Sequence, residues 1–363
     1  MTLLARPCNQ SMPQASVPAH QHVASVRWSN RQHARTNEMH ATLIHFQKCF
    51  STMQEMFESS GQPKSFLKYL PNVLSDSMAF LDIACAPGGF SQFLLEHYPN
   101  SEGFGITLPE KLGGFPVTVT IPDRFHLCEF DLLSRSNEPI IPCQIDLAIA
   151  DAQYLPRSQE SLETYGGKKA GTVTAGRLGL LLREFLIALR YLKEGGVFVF
   201  RFVVWEKIHA NILRLFLLCY DLFETVEPFK SEYQHTADCT FYCICSGFKR
   251  SVYEEKDIDT LLKVAFARVV LSPPFAAVHN GTINCIQVIK SANERDEKNL
   301  VLDKRDAHIL DHMYPFKDMQ KHDALGKMTQ MFEYVYKMFL IGQASYTDHF
   351  KIHSGHNNRS SHR

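Results

Sequence analysis

Residues 80–95 read FLDIACAPGGFSQFLL, and this stretch decides how the rest of the 363-residue chain is interpreted. The apolar run at 80–84 predicts a buried strand, the small residues at 86–89 predict a tight turn, and a helical pattern follows. Glycines let the backbone approach a ligand closely, and a helix N-terminus offers unpaired N–H groups. The order of strand, glycine turn and helix therefore predicts a Rossmann-like nucleotide site.

The composition is that of a globular protein, with 45% hydrophobic and 21% charged residues. The formal net charge is zero, so binding of a nucleic acid would require a local basic face. No run of about eighteen apolar residues is present, which predicts no membrane span. Ten scattered cysteines without a signal peptide predict reduced thiols in a cytoplasmic or nuclear protein.

Strands and helices are predicted to alternate along the first 250 residues. Seven strands are predicted, at 80–84, 103–108, 125–129, 145–150, 197–204, 222–229 and 240–247. Helices are predicted at 39–58, 89–97, 176–193 and 206–219. Such alternation indicates a parallel sheet, while the short last connection indicates an antiparallel pair. We therefore expect an α/β fold, with a seven-stranded, mostly parallel sheet that ends in an antiparallel hairpin.

Four segments are expected from the composition along the chain. Residues 1–37 lack Asp and Glu and contain several Arg, Ser and Pro residues, which predicts a disordered N-terminal tail. Acid-poor segments with Arg and Ser are also typical of mitochondrial transit peptides. Residues 38–250 form the predicted α/β domain, 251–348 a mainly helical C-terminal extension, and 349–363 a His/Ser/Asn-rich disordered tail.

The segment from Asp82 to Gln92 reads DIACAPGGFSQ. It resembles the S-adenosylmethionine loop of the FtsJ-type 2'-O-ribose RNA methyltransferases, whose motif runs roughly D-L-G/C-A-A/C-P-G-G-W/F-S-Q. The resemblance covers about residues 61–249, and the chain looks like a divergent, eukaryotic member. It implies a Rossmann-like methyltransferase fold, S-adenosylmethionine as cofactor, and RNA (rRNA, tRNA or an mRNA cap) as the methyl acceptor.

The resemblance also implies which residues would hold the cofactor. The turn would hold the methionine part through Gly88, Gly89 and Phe90, next to Asp82, Ala86 and Pro87. Thr107 stands where the family usually has an acid for the ribose hydroxyls, so only an uncharged hydrogen bond is available there. For the adenine, Glu129 matches by spacing and Asp131 matches by chemistry, and both alternatives stay open.

The family is associated with a catalytic Lys-Asp-Lys-Glu set, which this chain matches only in part. Asp151, at the tip of a predicted apolar strand, matches the Asp and would lie beside the cofactor. Lys64 or Lys68 would supply the first Lys. Arg201 occupies the second Lys position, and arginine stays protonated, so it is not a general base. Thr240 occupies the Glu position.

Three functions accord with this pattern. The first is S-adenosylmethionine-dependent methylation of an RNA ribose 2'-hydroxyl, the second is a catalytically degenerate protein that binds cofactor or RNA, and the third is a small-molecule methyltransferase. A basic rim for RNA could come from Lys168, Lys169, Arg177, Arg183 and Arg190. Cys239, Cys243 and Cys245 share one strand face, where buried thiols are a better interpretation than a metal site.

Overall fold

The structure is a computed structural model. It describes residues 38–58, 65–71, 76–134, 138–153, 169–203, 207–234, 240–271, 282–284 and 324–357. The predicted N-terminal tail, Lys64 and Cys239 lie outside these residues.

Seven strands form one sheet. They are β1 (Ala79–Ile83), β2 (Glu102–Thr107), β3 (Phe125–Glu129), β4 (Ile145–Ala150), β5 (Leu192–Val203), β7 (Phe223–Phe229) and β8 (Thr240–Phe248). Their order in the sheet is β3-β2-β1-β4-β5-β8-β7. The first five are parallel, and β8 is antiparallel to both β5 and β7. The predicted mostly parallel sheet with an antiparallel final hairpin is confirmed. Two short strands, β6 (Lys207–His209) and β9 (Thr282–Asn284), pair separately.

Helices cover both faces of the sheet. They are α1 (Glu38–Glu58), α2 (Gly89–His97), α3 (Lys169–Tyr191), α4 (Ala210–Leu222), α5 (Arg250–Glu255), α6 (Ile258–Leu271) and α7 (Ala324–Asn357), and a 3₁₀ helix spans Ser65–Tyr69. Helix α3 begins earlier than predicted and ends at Tyr191, because β5 already starts at Leu192 with an irregular register against β4. Helix α7 extends into the predicted C-terminal tail.

Alternation of side chains along each strand divides the core between the two faces. On one face, Phe80 packs with Phe93 of α2 and with residues of α1. On the other face, Leu81 belongs to the core that α3, α4 and α6 cover. Phe332 of α7 stacks edge-on against Phe216 of α4, with ring centroids 5.1 Å apart. The C-terminal extension therefore adds to the second face of the sheet.

Helix α1 is buried mainly along its second half. Met53 and Phe57 are buried there, whereas Leu43 in the first half is 62% exposed. Glu55 is also buried, and its carboxylate accepts hydrogen bonds from Ser231 Oγ and Glu232 N. The second half of α1 is thereby attached to the loop that follows β7.

Candidate active site

The turn after β1 lies at the carboxyl edge of the sheet. Ile83 O accepts a hydrogen bond from Asp151 N (3.2 Å), and Cys85 N donates to Ile106 O (3.0 Å), so the turn is attached to β4 and β2. Between these contacts Ala84 has a φ of 67°, a left-handed conformation that is rare for a residue with a side chain. Strain of this kind clusters at functional sites, and this edge is where doubly wound sheets bind ligands.

Asp82 is fully buried on β1, next to this turn. Its Oδ2 accepts a hydrogen bond from Ser91 Oγ of α2 (2.6 Å). Its Oδ1 is buried and has no hydrogen-bond partner within the described part of the chain. Burial raises the pKa of Asp82 to about 7; the hydrogen bond from Ser91 opposes the shift and Asp151 adds to it. A buried acceptor without a donor is costly, so Oδ1 is a position that a bound ligand or water would complete.

Asp82→Asn is expected to change how stability depends on pH. Because the folded-state pKa of Asp82 is raised from 3.8 to about 7, the carboxyl stabilises the folded protein below about pH 4, and this contribution is lost as the pH rises through about 7. The variant should lack a decrease in unfolding free energy of up to ~4 kcal/mol, since the pKa is raised by about three units and one pKa unit corresponds to ~1.4 kcal/mol.

Urea titrations at several pH values between about 4 and about 8 measure this difference. Asp123→Asn, at an exposed position, is the matched control and should follow the wild-type profile. Parallel profiles for wild type and Asp82→Asn would contradict the assignment.

The glycines of the turn allow close packing of the chain on itself. Gly88 begins α2 with a φ of 108°, and a Cβ at this position would lie 2.7 Å from Val119 Cγ2. A Cβ at Gly89 would lie 2.2 Å from the backbone oxygen of Phe46 on α1. Because these glycines have no side chain, α1 and the segment that contains Val119 can pack closely against the turn. The sequence did not indicate this packing.

Residues 116–120 cross the start of α2 and are held there by four hydrogen bonds. Thr118 donates from its backbone N (2.9 Å) and its hydroxyl (3.0 Å) to Pro87 O. Thr120 N donates to Gln92 Oε1, and Gln92 Nε2 donates to the Thr120 hydroxyl (both 2.8 Å). The turn is consequently rigid, and one side of it is occupied by the chain itself.

Two further residues of the predicted turn site lie apart from this contact. Ala86 is half-buried. Phe90 is buried and packs edge-on against Tyr242 of β8, with ring centroids 5.9 Å apart. The aromatic residue of the motif therefore anchors α2 on the sheet.

The ends of β2 and β3 carry the other predicted cofactor residues. Thr107 is buried and pairs in register with Glu129 on the neighbouring strand. The Glu129 side chain is exposed at this edge. Asp131 Oδ1 accepts a hydrogen bond from Leu133 N (3.0 Å), which stabilises its own turn. Of the two acids, Glu129 is the one whose exposure leaves it more accessible to a ligand.

Asp151 and Arg201 form a buried ion pair at the ends of β4 and β5. Arg201 Nε lies 2.7 Å from Asp151 Oδ1, and the two side chains are 11% and 6% exposed. Arg201 Nη2 also donates to the backbone oxygens of Asp151 (3.4 Å) and Ala152 (3.3 Å). Burial lowers the pKa of Arg201, but Asp151 and other neighbours raise it above its ordinary value. The guanidinium stays charged and orients Asp151.

Glu184 of α3 is a third ionisable residue at this point, and the sequence did not indicate it as a site residue. Its Oε1 accepts a hydrogen bond from Ala152 N (2.6 Å). Burial raises the pKa of Glu184 to about 8; the bond from Ala152 and the charge of Arg201 lower it, whereas Asp151 raises it. The available signal was an acid among the apolar residues of the helix predicted at 176–193.

The candidate lysines do not join this cluster in the described residues. The ammonium of Lys68 lies 4.6 Å from the centroid of the Tyr69 ring, and Glu224 and Glu227 of β7 are its charged neighbours. Tyr69 donates from its hydroxyl to Glu224 (2.6 Å), which attaches the 3₁₀ helix to β7. Lys64 lies outside the described residues.

Thr240, where the family would have a glutamate, opens β8 opposite Val203 of β5. Its backbone oxygen accepts a hydrogen bond from Lys230 Nζ (2.6 Å), and the lysine is buried. Position 240 therefore has a hydroxyl group near the buried ammonium of Lys230, where the family has a carboxylate.

Two residues of the predicted basic rim, Arg183 and Arg190, make contacts within the chain, so the prediction is corrected for them. Arg183 donates to the backbone oxygens of Leu132 (3.2 Å) and Ser134 (2.8 Å) and pairs with Glu138. Arg190 pairs with the same Glu138 and with Asp259. These two side chains hold the β3–β4 connection and α6 on α3. Of the others, Arg177 is exposed, and the side chains of Lys168 and Lys169 are not described.

The predicted thiol face of β8 is buried. Cys243 and Cys245 lie in the core with their Sγ atoms 3.8 Å apart. Burial raises the pKa of both thiols. Among the described residues, no group of three or more His, Cys, Asp or Glu side chains is arranged to hold a metal ion.

The sequence model of the FtsJ-like methyltransferase family matches residues 62–248, which is more than half of the chain. The chain belongs to the FtsJ-like methyltransferase family. The glycine turn, Asp151, Glu184 and Arg201 all lie inside the matched FtsJ-like region.

Several curated proteins share this FtsJ-like region. The chain is 23% identical over 271 residues to a cap-specific mRNA (nucleoside-2'-O-)-methyltransferase 1 of Drosophila melanogaster, which covers 69% of this chain and 32% of that protein. It is also 23% identical over 193 residues to an inactive cap-specific mRNA (nucleoside-2'-O-)-methyltransferase 1B of Caenorhabditis briggsae, covering 48% and 21%. The chain therefore spans a third or less of the length of these relatives.

Among solved structures, an rRNA methylase from Streptococcus thermophilus matches with 15% identity and a TM-score of 0.32, covering 50% of this chain and 93% of that one.

Proposed function

We propose that the FtsJ-like domain transfers a methyl group from S-adenosylmethionine to a ribose 2'-hydroxyl of RNA. The observation that carries the proposal is the position of Asp151. Its backbone N is bonded to Ile83 O at the glycine turn (3.2 Å), and its carboxylate is oriented by Arg201. A carboxylate held at the strand edge next to a nucleotide-type turn is suited to catalysis.

The residues at this edge fit the cofactor. Asp82 presents a buried oxygen without a partner in the described residues, Thr107 offers a hydroxyl, and Glu129 presents an exposed carboxylate at the next strand end. The backbone of residues 86–90 would hold the methionine part, with Asp131 as the alternative acid for the adenine. When bound, S-adenosylmethionine supplies an electrophilic methyl group.

Asp151 would perform the chemical step on the acceptor. Its carboxylate would accept the hydrogen bond of the 2'-hydroxyl and take its proton when the hydroxyl oxygen receives the methyl group. Arg201 keeps its proton, so it orients Asp151 and stabilises its charge. Because Arg201 and Thr240 stand where the family has its second lysine and its glutamate, we expect positioning to contribute much of the rate. Lys64 and Lys68 stay as predictions for the family's first lysine.

The relatives are named as cap-specific mRNA methyltransferases, and this supports the mRNA cap as the acceptor RNA. A protein acting on it would work in the nucleus or the cytoplasm. In the part of the chain that the structure describes, no helix combines the length and apolarity that a membrane crossing requires.

A non-catalytic protein on the same fold is the alternative. Arg201 and Thr240 stand where the family has Lys and Glu, and one relative is described as inactive. Such a protein would bind the cofactor or RNA without methyl transfer.

Two measurements on the full chain separate these functions. Calorimetric titration with S-adenosylmethionine should show binding, and ligand at about a hundred times Kd should stabilise the fold by ~2.7 kcal/mol. Tritium from the methyl-labelled cofactor should then appear in capped RNA, and not in an RNA whose acceptor nucleotide is 2'-deoxy. Absence of binding would reject the proposal, while binding without transfer would establish the alternative.

A further inference from the structure

Gln153 is a third side chain at the ion pair of Asp151 and Arg201. Arg201 Nε lies 2.7 Å from Asp151 Oδ1, and Arg201 Nη2 donates to the backbone oxygens of Asp151 (3.4 Å) and Ala152 (3.3 Å). The amide oxygen of Gln153 accepts hydrogen bonds from Nη2 (3.1 Å) and Nη1 of the same guanidinium. One guanidinium therefore links the proposed catalytic carboxylate with Gln153.

The orientation of the Gln153 amide follows from the groups that it faces. A guanidinium has N–H donors and no acceptor, so an amide nitrogen turned toward Arg201 would place donor against donor. With the amide oxygen on Arg201, the donors of the guanidinium are satisfied. The amide nitrogen of Gln153 is then left for another partner, and no described residue receives a hydrogen bond from it.

Gln153 is exposed, whereas the ion pair that it contacts is buried. The side chains of Arg201 and Asp151 are 11% and 6% exposed, while Gln153 lies at the surface just past the end of β4. An RNA that presents a ribose to Asp151 would therefore meet Gln153 at the same place. Glutamine side chains are common donors to the phosphate and sugar oxygens of nucleic acids.

A neutral amide suits this position better than a carboxylate would. A glutamate at 153 would form a bidentate pair with Arg201 and compete with Asp151 for the guanidinium. It would also place a negative charge next to the RNA backbone. Glutamine supplies the oxygen that Arg201 binds, adds N–H donors and brings no charge. Arg201 can thus keep its orienting contact with Asp151.

We propose that Gln153 is a specificity-determining residue for the RNA. Its amide oxygen holds Arg201, and its amide nitrogen donates a hydrogen bond to an oxygen in the sugar–phosphate backbone of the methyl-acceptor nucleotide. This inference rests on the proposed function of Asp151, because the nucleotide that Gln153 holds is the one whose ribose that carboxylate receives.

Two substitutions separate the two ends of the side chain. Gln153→Glu keeps an oxygen for Arg201 but loses the N–H donors, whereas Gln153→Met loses both. We expect the affinity of the full chain for capped RNA, measured by fluorescence anisotropy, to fall about tenfold in both variants, the value of about one hydrogen bond. Affinity for S-adenosylmethionine should be unchanged. If Gln153→Glu binds RNA as the wild type does, Gln153 only supports Arg201 and the proposal is overturned.

Gln330→Glu is the matched control for the added charge. Gln330 is exposed on α7, and the same substitution there should leave RNA affinity at the wild-type value. An equal loss in this control would show that any added negative charge weakens binding, and it would reject the contact at Gln153.

An RNA with a 2'-deoxy acceptor nucleotide identifies the oxygen that Gln153 contacts. A loss of affinity that is confined to RNA with the 2'-hydroxyl indicates a ribose contact. An equal loss with both RNAs indicates a phosphate contact.

The binding measurement does not depend on methyl transfer. If the wild type binds capped RNA without transferring a methyl group, and Gln153→Glu weakens that binding, the proposed function fails and the contact stands. If transfer occurs but neither variant changes RNA affinity, the proposed function stands and the inference is rejected. A wild type that binds no RNA would reject both.

Discussion

Asp151→Asn should lower the rate of methyl transfer by about a thousandfold or more, because general base catalysis and orientation of the acceptor are lost together. The amide has nearly the shape of the carboxylate but cannot take the hydroxyl proton. Affinity for S-adenosylmethionine should change far less than the rate, since the cofactor contacts proposed at the turn, Thr107 and Glu129 do not involve this charge. Single-turnover assays on capped RNA measure the rate, and calorimetry measures the affinity.

Asp146→Asn is the matched control for this substitution. Asp146 lies on the same strand, but its carboxylate accepts a hydrogen bond from Ala79 N (2.8 Å) and pairs with Lys193 (2.8 Å). An asparagine can still accept the backbone bond, so the control should keep its methyl transfer. Asp151→Asn also leaves Arg201 without its carboxylate, so folding of both variants is compared by circular dichroism. Transfer by Asp151→Asn at more than a tenth of the wild-type rate would exclude Asp151 as the base.

Gly89→Ala should destabilise the fold by about 3 kcal/mol or more, the size of other severe overpacking substitutions. The new methyl carbon would lie 2.2 Å from Phe46 O and 2.7 Å from Phe50 N, both in the backbone of α1. Backbone atoms of a packed helix cannot turn aside as a side chain can, so α1 or α2 must shift. Because the turn begins α2, affinity for the cofactor should fall as well.

Gly326→Ala is the control for a glycine without such contacts. A Cβ there meets no atom within 4 Å, and the position lies in α7. Alanine should be neutral or stabilise by up to ~1 kcal/mol through its helix propensity. Urea unfolding of both variants provides the comparison. A Gly89→Ala protein with wild-type stability would show that α1 does not approach the turn as closely as described.

Much of the sheet could be predicted because its signals are local. The strands β3 and β4 match their predicted bounds of 125–129 and 145–150. Strand β4 is a short, mainly apolar run between polar or turn residues, which is enough to predict a strand. The glycine turn and the helix after it were also predictable from local sequence. They contain the motif that resembles the FtsJ-like family, and the family model matches this region.

The charge cluster could not be predicted in this way. Asp151 and Arg201 are adjacent because β4 and β5 are parallel neighbours with Ala150 paired to Phe200, and no pattern within either strand states that register. Glu184 reaches Ala152 because of how α3 is rotated on the sheet, which depends on the packing of its whole apolar face. Lys68 illustrates the reverse, since its local sequence resembled the family's first lysine and the fold places its ammonium beside Tyr69 and β7.

The sequence by itself determined the α/β fold, the strand–turn–helix at residues 80–95 and the FtsJ-like family, because these depend on residues that are neighbours along the chain. The tertiary structure alone decided that Gly89 admits helix α1, that Arg183 and Arg190 bind acids of this chain, and that Glu184 and Arg201 hold the backbone beside Asp151. These contacts join residues from separate elements, and they arise only when strand register and helix packing are established together.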